Sequence, residues 1–167
     1  MREKDAAAGL TRFPVVRGRS LLGVDVVLPS DFPADRTLAI LAFQRWQQAR
    51  VDRWIAPESR PACRPRLGGC AGSLRSQLWR CPFSPSSGGR YGCIDGGMTA
   101  GIGDPDVLAR TITVYTDVAA VQRSLAIPGS ADVHALVVTR DGAILARSRG
   151  GPDDASWSEI ESVLSVG

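Results

Sequence analysis

The residues of this chain best suited to covalent chemistry are its four cysteines, Cys63, Cys70, Cys81 and Cys93. A thiolate can attack a disulfide or a peroxide, and a cluster of thiolates can hold a metal. The spacing here is C-x6-C-x10-C-x11-C, without a C-x2-C pair and without a nearby histidine. Zinc ribbons and knuckles use close pairs so that one turn supplies two ligands, so the spacing argues against a metal. Four cysteines allow three disulfide pairings. None of them stands at a recognisable helix start that would lower its pKa.

All four lie in residues 57–93, together with five of the eleven prolines and six arginines (Arg60, Arg64, Arg66, Arg75, Arg80, Arg90) against one acid, Glu58. That segment carries +5 of a total of +3, so the rest of the chain carries −2. The positive charge is therefore local. Its arginines sit among Gly, Pro and Ser rather than on a regular element with stacking aromatics, which argues against nucleic acid as a partner.

The only histidine is His134. A lone imidazole can act as a base or ligand, but no second histidine or fixed acid accompanies it in the sequence. Arg45 and Trp46 stand at the start of an expected helix, where free N–H groups and the helix dipole favour an anion. Gly96–Gly103 contains a loose glycine pattern, without the strand and spacing of a nucleotide fingerprint, and no cofactor is expected.

The elements that must position these groups are legible on both sides of the odd segment. Val15–Val16 and Leu21–Leu28 read as a hairpin joined near Arg17–Ser20, and Thr37–Phe43 as a buried central strand. Gln44–Ile55 changes to helical period. Beyond residue 93, Asp104-Pro105 opens a short helix and Thr111–Tyr115 is a strand. Asp117 caps a helix that ends before Pro128. Val133–Thr139 and Ala143–Arg147 form a hairpin about Asp141-Gly142, and Asp153 or Asp154 caps a last helix carrying Trp157. Trp54 and Trp157 read as core.

This order resembles the thioredoxin-like superfamily, in the branch shared by peroxiredoxins and small thiol reductases. The resemblance covers about residues 20–56 and 94–165. The stretch 94–116, with Asp95-Gly96-Gly97-Met98 and Asp104-Pro105, is similar to an uncharacterised bacterial group, itself similar to the thioredoxin-like assembly factor of mitochondrial ATP synthase. The resemblance implies an α/β, three-layer domain with a central mixed sheet. It also implies a thiolate at the start of the helix after the central strand, and a cis-proline just before the hairpin. Here the first place reads Gln44-Arg45-Trp46-Gln47-Gln48, and His134 stands at or beside the second.

A redox-inactive thioredoxin-like protein that binds or assembles with a protein partner is the expectation. A thiol-dependent oxidoreductase or peroxidase using cysteines of 57–93 is the rival. The segment itself reads as irregular. We favour reading it as out-of-frame translation of GC-rich DNA, since shifting the frame over Trp79–Ser84 yields an apolar, strand-like run. No apolar stretch is long enough to span a bilayer. The N-terminus shows no apolar region of a signal peptide, so a cytoplasmic location is expected.

Overall fold

The computed structural model describes residues 12–55, 73–79 and 105–165. In chain order it holds β1 (Val16–Ser20), β2 (Asp25–Leu28), β3 (Arg36–Ala42), a 3-10 turn (Arg45–Gln47) and α1 (Gln48–Ile55). Then come β4 (Ser73–Trp79), α2 (Pro105–Arg110), β5 (Thr111–Tyr115), α3 (Val118–Ser124), β6 (His134–Thr139), β7 (Ile144–Arg149) and α4 (Asp154–Ser165). The seven described strands form one mixed sheet in the order β2-β1-β5-β4-β3-β6-β7. β3 runs parallel to β4, and β4 parallel to β5; β6 runs antiparallel to β3.

The apolar run of β3 is explained by its place. Leu38, Ile40 and Ala42 face one side, where Val51 and Trp54 of α1 and Trp157 and Ile160 of α4 cover them. Ala39, Leu41 and Phe43 face the other, against Val118, Val121 and Leu125 at α3, with Phe13, Leu28 and Phe32. Helices thus cover both faces, which makes three layers. Each fully buried Leu or Ile adds about 1.5–3 kcal/mol relative to an exposed one, so both faces of β3 contribute to stability.

Helix ends follow the sequence. Asp117 accepts from the Ala119 N–H at 3.0 Å, and Asp153 from the Ser156 N–H at 2.7 Å, each satisfying a donor that the first turn leaves free.

Two expectations need correction. Arg17–Ser20, expected as the joint of the first hairpin, is strand β1, with Val16, Gly18 and Ser20 turned inward and Arg17 and Arg19 outward. The turn falls instead at Gly23, whose φ of +85° suits glycine. Gly18 serves packing: a Cβ there would lie 2.6 Å from Ile112 Cγ2.

The segment expected to be irregular contributes β4, paired on both sides, with Leu38↔Ser73 through Ala42↔Gln77 on one and Arg75↔Thr111 through Trp79↔Tyr115 on the other. The physical reason is the ladder. β3 and β5 would each present a row of unpaired backbone groups in the middle of the sheet, and filling it outweighs poor composition.

Candidate functional site

The C-terminal end of β3 delivers Phe43 and Gln44 into the 3-10 turn without a glycine, so the first free N–H groups must find partners nearby. Gln47 supplies them. Its Oε1 accepts from the Phe43 N–H at 2.7 Å and from the Gln44 N–H at 3.0 Å. Its Nε2 donates to the Ser130 carbonyl at 2.9 Å, in the loop before β6. The residue is fully buried, so every polar contact counts. Ser130 Oγ in turn accepts from Gln122 Nε2 at 2.8 Å, which ties α3 to the same loop.

Beside this network stands His134, the first residue of β6, nearly buried, with its ring edge-on to Phe43 at 6.3 Å between centroids. Burial pushes its pKa below the ordinary histidine value. Arg149 and Arg147 push the same way, while Asp132 opposes them. The imidazole is therefore held toward its neutral form.

Asp132 organises the outer layer. Its carboxylate accepts from Arg149 at 2.8 Å and from Arg50 at 3.0 Å, joining β7 to α1. The hydrogen bond from Arg149 is the largest cause holding its pKa below the usual carboxylate value. The Arg50 guanidinium also lies over the Trp46 ring, 5.4 Å from its centroid. Trp46 is 60% exposed.

One end of the sheet thus gathers Trp46, Arg50, Asp132, Arg149, His134 and the buried Gln47. The structure brings Trp46 and His134 to this end, on α1's approach and on β6. The backbone of Arg45 opens the same 3-10 turn that holds Trp46, and its side chain is outside what is described. Cys63, Cys70, Cys81 and Cys93 lie outside the described residues. So does Gly96–Gly103.

Sequence reasoning missed Gln47, Arg50, Asp132 and Arg149. Asp132 and the two arginines are separated by 82 and 17 residues, so no local spacing announces them. Gln47 carries a polar side chain at a helical position and gives no sign that it is buried.

His134 has no acid or nucleophile bonded to it among the described residues, and the N–H groups of Phe43 and Gln44 are already engaged by Gln47. Among the described residues, no group of three or more His, Cys, Asp or Glu is placed to hold a metal ion. No described helix is long and apolar enough to cross a membrane. A shallow groove lined by Asp35, Arg36, Thr139, Arg140 and Asp141 lies at the opposite end of β3 and β6.

No family model matches the chain, and no curated protein matches it. Solved structures do share its fold. A thiol:disulfide interchange protein from Bacteroides sp. superposes with a TM-score of 0.57 at 19% identity, covering 94% of this chain and 90% of its own. BsSco, a member of the Sco family of cytochrome c oxidase assembly proteins, gives 0.54 at 12% identity, with 93% and 95% covered. A thioredoxin family thiol:disulfide interchange protein from Chlorobium tepidum gives 0.52 at 10% identity, with 95% and 99% covered. At such identities the likeness carries the fold, which is thioredoxin-like, and not the activity.

Proposed function

We propose that this chain is a thioredoxin-like protein that acts by binding a protein partner, without thiol–disulfide exchange, at the end of the sheet where Trp46 and Asp132 meet. The observation that supports this reading is Gln47. Where the resemblance calls for a reactive thiolate at the helix start, the chain reads Gln44–Gln48, and the Gln47 side chain is spent on holding the turn together. Its neighbours are suited to recognition. Tryptophan and arginine are the side chains most enriched among residues that dominate protein interfaces. Trp46 stands 60% exposed with Arg50 fixed over it by Asp132.

The test compares the protein with a variant in which Cys63, Cys70, Cys81 and Cys93 are all changed to Ser. Insulin-disulfide reduction and peroxide consumption should stay at background for both. A robust activity in the parent that vanishes in the variant would overturn the reading in favour of a thiol-dependent oxidoreductase.

A further inference from the structure

We infer that the outer edge of β7 is a docking site for an extended acidic segment of a partner protein, which adds to the sheet as a further strand. This rests on the protein-binding reading above and specifies the partner's chemistry.

The two edges of the sheet are built differently. At the β2 edge, the Ser20 N–H donates to the Val24 carbonyl, and the register Gly18↔Val26 and Val16↔Leu28 follows from it. Alternation then turns the N–H and C=O of Val27 outward. Both are taken within the chain. Asp31 Oδ2 accepts from the Val27 N–H at 2.7 Å, and the Val27 carbonyl accepts from the Asp31 N–H at 2.9 Å and from Ser30 Oγ at 2.9 Å. Val27 is thus closed to a further strand, which leaves only Asp25 of β2 turned outward.

β7 is different. The Gly150 N–H donates to the Val133 carbonyl at 2.7 Å, so Ser148 and Ala146 face β6. By the same alternation, Arg147 and Arg149 turn their backbone N–H and C=O groups to the outer edge. Among the described residues no strand pairs with them. Among the described residues, the bridge on this edge lies at its turn end, Arg12 to Ala143.

Charge selects the occupant. Leu145, Arg147 and Arg149 all have exposed side chains. Arg147 reaches the Leu125 carbonyl, while Arg149 and Arg50 share the single carboxylate of Asp132. Two guanidiniums therefore share one carboxylate, and the third, Arg147, reaches a neutral carbonyl. A second copy pairing along this edge would set arginine opposite arginine in the registers centred on Arg147 and Arg149, and like charges directly opposite are unfavourable. An incoming strand with glutamate or aspartate at alternate positions meets both arginines instead. Its end at Arg149 also reaches the ion pairs that hold Arg50 over Trp46, so the edge and the Trp46 face are continuous.

The experiment titrates the full chain with a short acetylated and amidated peptide alternating glutamate and valine, and separately with its lysine-for-glutamate counterpart. Backbone amide signals and their exchange rates are the readout. The glutamate peptide should bind, shift the Arg147 and Arg149 amides and slow their exchange, and bind about tenfold or more tightly than the lysine peptide. Arg147→Glu should reverse the preference between peptides. Arg147→Pro removes an outward N–H without removing a bond to β6, and should abolish strand addition.

Equal binding of the two peptides, or shifts confined to Trp46, would overturn the edge proposal while leaving the binding reading intact. Slow exchange of both amides in the free protein would also overturn it, since the chain itself or a second copy would then fill the edge. Thiol activity that depends on the four cysteines bears on the earlier reading alone.

Discussion

Gln47 and Ser130 are joined by a 2.9 Å hydrogen bond that spans 83 residues of sequence and closes the helix start onto the loop before β6. The same side chain receives two backbone N–H groups. A single amide thus fixes the relative position of Phe43, the 3-10 turn and the loop that carries Asp132.

Replacing it should be costly. Gln47→Leu keeps most of the volume but leaves two donors and one acceptor without partners. At about 1–3 kcal/mol for each buried unpaired group, a loss of about 3 kcal/mol or more is expected. Gln47→Ala should lose a similar amount or more, because it adds a cavity. Urea midpoints for the two variants check this. A loss confined to the Ala variant would mean that packing, not hydrogen bonding, is the role of Gln47.

Gly18 should not tolerate a side chain. A Cβ there would stand 2.6 Å from Ile112 Cγ2 and 2.9 Å from the Thr113 carbonyl, and the backbone oxygen cannot move without disturbing the β1–β5 ladder. Gly18→Ala is expected to cost about 1–3 kcal/mol, the usual range for overpacking. Gly129→Ala, where nothing lies within 4 Å, should fall within about 0.5 kcal/mol of the parent. Thermal or urea unfolding of the two side by side gives the answer.

How much of this could be read in advance depends on how local the cause is. β3, the Asp117 and Asp153 caps and the Asp141-Gly142 hairpin each leave a signal within a few residues, and each was legible. Gly18 was misread as a turn because the sequence does not say that β5 presses on it. β4 was hidden for a similar reason: its pairing is decided by β3 and β5, not by its own residues. The site was the least legible part. Trp46 and His134 stood out as unusual residue types, but the Arg50–Asp132–Arg149 bridge exists only once α1, the loop and β7 are assembled. The out-of-frame reading of 57–93 is a statement about the gene, and resequencing the DNA near Pro57 and Cys93 for compensating single-base changes decides it.

The two tryptophans in contact should respond unequally to the same change. Their rings lie 5.3 Å apart. Trp54 Nε1 donates to the Gly150 carbonyl at 2.9 Å, whereas the buried Trp157 Nε1 has no partner among the described residues. Trp54→Phe therefore strands a carbonyl as well as losing ring area. Trp157→Phe removes a donor that was already unsatisfied, which offsets part of its lost packing. The Trp54 variant should be less stable than the Trp157 variant by about 1 kcal/mol or more. Equal losses would show that Trp157 Nε1 is hydrogen-bonded in solution.

His134 should make stability depend on pH in a window set by its depressed pKa. Burial is the main cause, and the arginines of β7 add to it, so the folded value lies below the ordinary 6.5. Between the two values the unfolded chain holds a proton that the folded chain does not. Stability then rises with pH, at no more than about 1.4 kcal/mol per pH unit for one proton. The contribution is complete above about 6.5, falls away as the pH drops toward the folded value, and is constant below it. Asp132 acts in a separate window. Its carboxyl is also depressed, so its contribution is present above 3.8 and is lost on stronger acidification. His134→Asn should remove the slope just below pH 6.5 and leave the lower one. Urea midpoints across the range separate them. A slope near neutrality that survives in the Asn variant would assign it to a group other than His134, which is the only histidine in the chain.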